Sequence, residues 1–576
     1  MTSSPAASLT DRRKRANRRT VLFLWAVPAA FLLVFFFSPL AAVFSTAAKT
    51  ALSDGLGVDL WQRIWRPLRF TFFQAGLSTL LTLLLGLPAA YVFARFTFPG
   101  KKLLRVLATL PFILPTVVAA AGFNAFLGPR GLVNVALMRW LDLAAPPVAF
   151  MNTLTAILVA HVFYNVSVVI RVVGSAWAQM NTRQEQVARV LGASAWRTLW
   201  EVTLPLLKNA IFGAALLVFL FDFTSFGVIL MLGGPKFATL EVEIYLQAMH
   251  MLNLPAAGLL SAIQLGVTLI LTVASSRLHT QRDTKMMPLL HNEAVRRPQS
   301  RGEKWLVGGI ALILILLLVL PTGSLALRSV TRLDAARGER GAVAAALTLD
   351  YYRELFTNRQ GSLFYVPPIA AARNSLLYAG ATVMISLVLG LLVTYALARR
   401  SRVNRVLEPL LMLPLGASAV TLGLGFILAF NRPPLQLLSS PVLVPIAHSL
   451  VALPFVVRTL QPALVSIPDS LRQAAASMGA SPWQVWREVD FPIMTRAALV
   501  SAIFAFTISL GEFGATSFLS RPEYPTLPVA IFRFLSQPGA LNYGQALAMS
   551  TLLMLVCGGS ILLLEQLRLP GVGIEL

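Results

Sequence analysis

Four ionisable side chains lie inside long apolar segments of this 576-residue chain. They are two histidines, His161 and His448, and two acids, Asp222 and Glu512. An ionisable group at such depth costs about 3 kcal/mol or more unless it is paired or hydrated, so it usually faces a cavity or the interior of a helix bundle. These groups could line a path for a cation across a membrane, or they could hydrogen-bond one helix to another. The sequence leaves both interpretations open.

Bond-making chemistry is not indicated. The sequence lacks the phosphate-binding pattern Gly-x-x-x-x-Gly-Lys-Ser/Thr, so the chain is not predicted to hydrolyse ATP itself. It also lacks a nucleophile–base constellation and a metal-ligand cluster, since His279 and His291 lie in a polar stretch and define no site. The single cysteine, Cys557, cannot form an internal disulfide. We predict a chain that is not an enzyme and binds no cofactor or metal.

Composition indicates a membrane protein. The chain is 56% hydrophobic and 12% charged, with a mean hydropathy of +0.72, whereas a soluble domain carries about 25% charged residues. Its apolar runs are continuous, which favours helices over the alternating pattern of membrane strands. The net charge of +24 would suggest nucleic acid in a soluble protein. Because the basic residues cluster beside apolar segments, the positive-inside rule explains them, and no nucleic-acid partner is predicted.

The apolar runs predict twelve spans, six in each half, because about 20 apolar residues cross a hydrocarbon core of about 30 Å. In the first half they lie near 21–46, 70–95, 104–127, 152–175, 209–232 and 254–276. In the second half they lie near 305–327, 374–398, 405–429, 440–460, 497–519 and 542–565. We therefore divide the chain into a first half at 1–276, a polar linker at 277–304 and a second half at 305–576.

Basic residues predict the side of the membrane on which each loop lies. Six of them stand between Arg12 and Arg19, ahead of the first span, and others cluster in the linker and at 101–105, 183–208 and 399–405. Because cytoplasmic loops are enriched in Lys and Arg, we place the N-terminus and the linker in the cytoplasm. The long segment 328–372 also contains arginines but is predicted to lie outside, since long translocated segments follow the rule less strictly.

One polar pattern occurs twice, 287 residues apart, at 183–205 and 470–492. Gly192 matches Gly479, and a proline follows each glycine at the same spacing. Good helix formers without an interior proline precede each glycine, which predicts a short helix across the cytoplasmic face. The glycine is expected to end this helix or to allow another surface to approach. Pro205 and Pro492 are expected to open the next span.

The repeat extends into the apolar segments. His161 aligns with His448, and Phe226 aligns with Phe513, which makes the two phenylalanines further candidate pathway residues. Asp222 and Glu512 lie three residues out of register, since Asp222 aligns with a serine. Before the fourth span the offset is 303 or 304. Because six spans return the chain to its starting side, this is a parallel repeat with a pseudo-two-fold axis along the membrane normal.

The repeated loops have two interpretations, a plain connector or a docking element for a two-fold symmetric partner. Two matched copies favour docking. The residues that we expect at the contact are Gln186, Ala188, Gly192, Ala193, Pro205, Gln473, Ala475, Gly479, Ala480 and Pro492.

The pattern resembles the EAA loop of ABC-importer membrane subunits, Glu-Ala-Ala-x-x-x-Gly followed by a hydrophobic residue and proline. Here Gln186 and Gln473 replace the usual glutamate, and Val187 replaces the first alanine. An amide accepts and donates hydrogen bonds but forms no ion pair. Glu185 could substitute in the first copy, whereas no acid directly precedes Gln473.

The resemblance implies the fused permease of a bacterial ABC importer with two MetI-like halves, in the inner or plasma membrane. In that family the loops are coupling helices that bind two cytoplasmic ATPase subunits, where ATP and Mg²⁺ act, and a substrate-binding protein docks outside. The iron(III)/thiamine subfamily is the most similar, so the substrate would be thiamine, its phosphates or ferric iron. The stretches that carry this similarity are Gly128-Pro-Arg-Gly-Leu, Ala160-His-Val-Phe-Tyr-Asn165, Ser225-Phe-Gly, Leu232-Gly-Gly-Pro235 and Ser509-Leu-Gly-Glu-Phe-Gly514.

The alternative class is an ion-coupled secondary transporter, which can also have two parallel six-span halves. Such a protein would need no paired docking loops.

The topology can be tested by cysteine labelling after Cys557 is replaced by serine. A cysteine at Leu290, in the linker, should react with a membrane-impermeant maleimide only after the cells are opened. A cysteine within 328–372 should react in intact cells. Reaction of position 290 from outside would refute the twelve-span map.

Overall fold

The computed structural model describes residues 5–53, 58–280, 295–332, 347–357, 367–399, 401–431, 433 and 436–567. Residues 281–294 of the predicted linker lie outside the described residues, as do 333–346 and 358–366 of the predicted outer segment.

Helices form nearly all of the described chain. The first half contains, in order, Pro5–Leu32, Leu33–Phe37, Ser38–Ser53, Val58–Arg95, Lys101–Ile113, Thr116–Leu127, Leu132–Trp140, Leu154–Gln179, Thr182–Val190, Ala195–Thr198, Leu199–Thr203, Leu204–Phe223, Gly227–Leu232, Pro235–Phe237, Leu240–Tyr245, Leu246–His250 and Leu254–Thr280. The second contains Arg301–Ser329, Asp350–Arg353, Glu354–Phe356, Pro368–Leu397, Arg402–Gly416, Ala419–Phe430, Leu443–Val465, Asp469–Ser477, Pro482–Val485, Trp486–Asp490, Phe491–Gly511, Gly514–Leu519, Leu527–Ser536 and Ala540–Leu567.

Ten helices among the described residues are long and apolar enough to cross a membrane. Two bent helix pairs raise the number to twelve when each pair is counted as one span, and we number these spans 1 to 12 in chain order. The predicted all-α architecture of two six-span repeats is confirmed.

The predicted spans 104–127 and 405–429 are each broken in the structure, because spans 3 and 9 bend by more than 100°. In span 3 the bend follows Leu114, whose extended backbone is the conformation that a following proline favours. In span 9 the bend lies at Ser418, whose hydroxyl accepts hydrogen bonds from the backbone N–H groups of Val420 and Thr421. This cap starts a new helix, Ala419–Phe430, in a new direction.

Spans 5 and 11 end earlier than we predicted. Their long helices stop at Phe223 and Gly511, and short helices resume at Gly227 and Gly514. They also begin earlier, since Pro205 and Pro492 lie inside continuous helices instead of opening the spans. A π turn ends two residues before each proline. Its wider spacing accommodates a ring that would clash in a regular α-helix.

Several segments that were predicted to be inner share one face of the molecule, together with the described end of the linker. The indole N–H of Trp25, at the start of span 1, donates to Asn404 after span 8 at 3.0 Å. The backbone N–H of Arg296 in the linker donates to the carbonyl of Arg95 at the end of span 2, at 3.0 Å. Arg95 in turn forms a 2.9 Å ion pair with Glu185 of the first repeated loop. These contacts agree with the common side predicted for these segments.

The two halves are interleaved. The helix Ser38–Ser53 of span 1 packs against Ala419–Phe430 of span 9, and the span 7 helix Arg301–Ser329 packs against Thr116–Leu127 of span 3. The largest buried apolar cluster accordingly contains residues of both halves. The sequence halves 1–276 and 305–576 are therefore repeats along the chain that do not pack as separate units.

At each of these two contacts between the halves, which we call crossings, a glycine faces a proline of the other half. A Cβ atom on Gly122 would lie 3.0 Å from the carbonyl oxygen of Pro321. A Cβ atom on Gly425 would lie 3.0 Å from the side chain of Pro39. Gly122 and Gly425 are repeat equivalents, so the same close approach occurs on both sides of the molecule. Small residues let helices approach closely in membranes, where packing drives their association.

We expect Gly122→Leu to destabilise the protein by about 1–3 kcal/mol, because the larger side chain would overpack this crossing. The measurement is the thermal unfolding midpoint of the detergent-solubilised protein. Gly309→Leu is the matched control on span 7, since a Cβ there meets nothing within 4 Å. Equal midpoints for the two variants would contradict this assignment.

Candidate functional site

The two repeated loops fold alike. Each begins with a nine-residue helix, Thr182–Val190 or Asp469–Ser477, and each helix ends at a glycine with a positive φ of 88° or 87°. The backbone N–H of the residue after the glycine donates to a carbonyl five residues earlier, at 3.0 Å in the first loop and 3.1 Å in the second. This is the Schellman ending, for which glycine is the preferred residue. The predicted short helix and its glycine end are both present.

Matched apolar side chains on the two loops are exposed. Leu191 is 81% exposed and its equivalent Met478 is 82% exposed. Trp196 and Trp483, another repeat pair, are exposed by 68% and 64%. A Cβ on either loop glycine would meet nothing within 4 Å. Clustered exposed apolar residues mark interaction surfaces in many proteins, so the loop geometry fits a docking element.

A polar brace fixes each loop helix to the helix that follows it. In the first loop the hydroxyl of Thr203 donates to Glu185 at 2.8 Å, and Arg95 pairs with the same carboxylate. In the second loop Arg472 donates to Asp490 at 2.8 Å. Glu185 and Arg472 occupy equivalent positions, and so do Thr203 and Asp490. Both loops therefore have a brace between the same two positions. The acceptor is on the loop helix in the first copy and on the following helix in the second.

The brace also bears on the glutamates that the two loops lack. Glu185 faces inward and is occupied within the chain, so it is not positioned to replace the glutamate that Gln186 lacks. Gln186 and Gln473 are both exposed. The exposed side chain at this position is therefore an amide in both loops.

Between the halves, two phenylalanine rings stack across the pseudo-two-fold axis. Phe226 and Phe513 are repeat equivalents, and their ring centroids are 5.6 Å apart with an interplanar angle of 20°. Tyr245 packs on Phe226 at 5.3 Å, and its equivalent Phe532 packs on Phe513 at 5.4 Å. The breaks in spans 5 and 11 place the two central rings here. The four rings fill the middle of the interface between the halves.

A histidine cluster lies beside the break in span 5. Asn165 donates to Asp222 Oδ1 at 2.7 Å, and His161 Nδ1 lies 3.4 Å from the same oxygen. The two ring nitrogens of His161 lie 2.9 Å from the hydroxyls of Ser78 and Ser225. Asp222 is fully buried.

The second histidine cluster has the same plan. His448 Nδ1 lies 2.7 Å from the hydroxyl of Ser509, and Nε2 lies 3.3 Å from Glu512 Oε2. The Glu512 carboxylate also accepts the backbone N–H groups of Ala515 at 2.7 Å and Thr516 at 2.9 Å. Glu512 therefore caps the short helix Gly514–Leu519.

The two clusters have their acid and their serine at opposite positions. Nδ1 of each histidine faces position 222 or 509, and Nε2 faces position 225 or 512. Asp222 occupies the Nδ1 side in the first half, whereas Glu512 occupies the Nε2 side in the second. Each acid has its described partners within its own half. Their role in lining a path stays a prediction.

Sequence reasoning missed one buried acid and most polar partners of the others. Glu241 lies in the helix Leu240–Tyr245, which we had assigned to the loop between spans 5 and 6, and it is fully buried. Ser78 and Thr516 gave no sequence signal apart from lying in apolar segments, and Asn165 was noted only as the end of a stretch that resembles the family. Among the described residues, no group of three or more His, Cys, Asp or Glu side chains could hold a metal ion.

Family comparison agrees with this architecture. Residues 82–286 and 386–566 match the family described as binding-protein-dependent transport system inner membrane component. The two matches together cover more than half of the chain, one in each half, and the first extends into the linker. The chain therefore belongs to this family.

Curated relatives match nearly the whole chain. The thiamine transport system permease protein ThiP of Escherichia coli (strain K12) is 27% identical over 529 residues, which cover 89% of this chain and 91% of that protein. ThiP of Brucella abortus (strain 2308) is 25% identical over 561 residues, covering 97% and 96%. The probable ABC transporter permease protein y4fN of Sinorhizobium fredii (strain NBRC 101917 / NGR234) is 26% identical over 569 residues, covering 95% and 96%. The resemblance to a fused ABC-importer permease is confirmed.

We expect Glu512→Gln to be more harmful than Asp222→Asn. Both oxygens of Glu512 accept backbone N–H groups, so an amide leaves one N–H facing another donor, at a cost of about 1–3 kcal/mol. Asp222 accepts a described hydrogen bond at one oxygen only. Thermal unfolding and substrate uptake at matched expression measure the difference, with the exposed Glu523→Gln as control. Equal loss of uptake with unchanged stability would instead favour the lining role for both acids.

Proposed function

We propose that this chain, a multi-pass inner membrane permease of the ABC-importer family, forms the translocation path of an ATP-driven importer between its two halves. The observation that carries the proposal is that a continuous helix connects each exposed loop with the ring pair at the pseudo-two-fold axis. Each exposed loop leads directly into a long helix, 195–223 or 482–511, that ends beside a central phenylalanine. At about 1.5 Å per residue, each helix spans the membrane core.

The loops are the docking sites for two cytoplasmic ATPase subunits. Their matched exposed leucine, methionine and tryptophan side chains offer the apolar surface, and the brace of each loop transmits its movement to the following helix. Because proteins behave as close-packed solids over short distances, a loop that shifts would carry the inner end of span 5 or 11 with it. A movement of the two loops towards each other would therefore change the distance between the central rings of Phe226 and Phe513. That change would open or close the path between the halves. ATP and Mg²⁺ act on those partner subunits.

On the outer face, a substrate-binding protein delivers the substrate. The family description and the names of the relatives support such a partner and favour thiamine or its phosphates as the cargo. Ferric iron, the other substrate expected from sequence, has no support among these relatives. The family match favours the importer over the alternative class, an ion-coupled secondary transporter. The N-terminus and both loops lie in the cytoplasm in this proposal.

We expect Leu191→Glu together with Met478→Glu to abolish ATPase binding, because two buried charges would oppose an apolar contact. The measurement is co-purification of the cognate ATPase with the full permease. Met251→Glu is the control, since Met251 is also exposed but lies at the opposite end of the spans, just before span 6. Each single variant should weaken binding at one of the two sites. Normal co-purification by the double variant would refute the docking assignment.

A further inference from the structure

An apolar groove lies between spans 1 and 8. Its volume is about 460 Å³, within the range of about 300–1,000 Å³ that sites for small molecules occupy. Three of its residues are more than half exposed, so the groove opens at the surface that faces the lipid. The residues that line it include Val27, Phe31 and Phe35 of span 1 and Met384, Ile385 and Val388 of span 8.

The groove is nearly as long as one leaflet of the bilayer is thick. Val27 and Phe35 are eight residues apart along span 1, which corresponds to about 12 Å of helix. Half of a hydrocarbon core of about 30 Å is about 15 Å. One acyl chain therefore fits along the groove when its headgroup lies at the inner end.

Hydrogen bonds of Asn404 define that inner end. Its side-chain oxygen accepts the indole N–H of Trp25 at 3.0 Å, two residues before Val27. Its side-chain N–H groups donate to the carbonyls of Ala396 and Arg399, at 2.8 Å and 2.7 Å. The turn from span 8 to span 9 is therefore held against the start of span 1, where the groove ends.

Exposed arginines lie near this inner end. Three belong to the turn between spans 8 and 9, and a fourth stands at the start of span 1: Arg399, Arg402, Arg405 and Arg19. None of the four forms an ion pair with a described residue. Glu408, the nearest acid along the chain from the turn, is not paired with them either. The inner end of the groove is therefore positively charged.

The corresponding corner of the first half is covered by the chain itself. There the backbone N–H of Arg296 in the linker donates to the carbonyl of Arg95 at 3.0 Å, and its guanidinium lies over the ring of Phe96 at 5.2 Å. The same guanidinium pairs with Glu303 in the first turn of span 7. Glu303 thus supplies a negative charge at this corner.

Span 1 has no acid at the matching position. The prolines of the two crossings, Pro39 and Pro321, set the register between spans 1 and 7, and in this register Val21 corresponds to Glu303. The arginines between spans 8 and 9 therefore lack the anion that the first half has. An anion from outside the chain would complete this corner.

We propose that the groove and its arginines bind an anionic phospholipid. One acyl chain lies between spans 1 and 8, and the headgroup phosphate lies among Arg399, Arg402 and Arg405. Basic clusters next to a span attract anionic headgroups, and apolar contact holds the chain. A zwitterionic lipid makes the same apolar contact without the net charge, so it binds more weakly. The site faces the lipid and is independent of the cargo that the permease carries.

The test is native mass spectrometry of the purified full chain in detergent, titrated with phosphatidylglycerol and separately with phosphatidylcholine. The wild type should bind its first phosphatidylglycerol about tenfold more tightly. Arg402→Gln with Arg405→Gln should remove most of this preference. Lys102→Gln with Arg105→Gln is the matched control, since these exposed residues lie in the corresponding turn between spans 2 and 3, and it should keep the preference.

A second variant tests the apolar part of the site. Val388→Trp fills the groove and leaves every arginine in place, so it should weaken phosphatidylglycerol binding severalfold. Ile270→Trp is its control, because Ile270 is also exposed but lies on span 6. All of these substituted side chains are exposed, so the variants should fold. Glycerol phosphate has the charge of the headgroup without an acyl chain, and it should not displace the lipid.

Three results would overturn the proposal. The first is equal affinity of the wild type for the two lipids. The second is an equal loss in both double variants, which would indicate general attraction to a basic surface. The third is unchanged affinity in Val388→Trp. Displacement of the lipid by glycerol phosphate alone would instead assign a site for free phosphate and would contradict the lipid site.

Discussion

The contact between the halves at the axis depends on the breaks that end the long helices of spans 5 and 11 at Phe223 and Gly511. A bilayer core offers no water to the backbone, so the polar groups freed at a break need partners from the protein. Glu512 supplies them in the second half by accepting two backbone N–H groups of the next short helix. In the first half Gln74 donates to the backbone carbonyl of Asp222 at 2.8 Å. Only with these partners can the chain turn at the axis, and that turn brings Phe226 and Phe513 face to face.

The two halves preserve contacts more closely than residues. Each histidine connects the same two positions of the broken span, although the acid stands at one position in the first half and at the other in the second. The loop braces show the same exchange, with an acidic acceptor on the loop helix in one copy and on the following helix in the other. An interaction needs a donor and an acceptor at two places, and either place can hold either group. A duplicated gene can therefore drift while both contacts remain.

Hydropathy and the internal repeat were sufficient to predict the class, the twelve spans, the short loop helices and their glycine ends. These features follow from local composition and from glycine at a left-handed position. The breaks after Phe223 and Gly511 were not predicted, because Phe226 and Phe513 continue the apolar pattern and the capping role of Glu512 depends on a turn that hydropathy does not reveal. Glu241 was missed since its short helix was assigned to a loop. The crossing of the halves depends on contacts hundreds of residues apart, which a single sequence does not contain.

The packing of span 1 against span 9 of the other half has a consequence for synthesis and membrane insertion. Pro39 enters the membrane long before Gly425, the residue on which it packs, has been synthesised. At about 5–20 residues per second, the wait is on the order of half a minute. Span 7 has no such delay, because Gly122 is already in place when Pro321 emerges. The contact of Pro39 with Gly425 thus forms late, when the second half reaches a span 1 that is already in the membrane. The contact of Pro321 with Gly122 forms as soon as span 7 is inserted, because its partner is already present. During that interval an exposed seam of span 1 is available to other membrane proteins or to insertion factors.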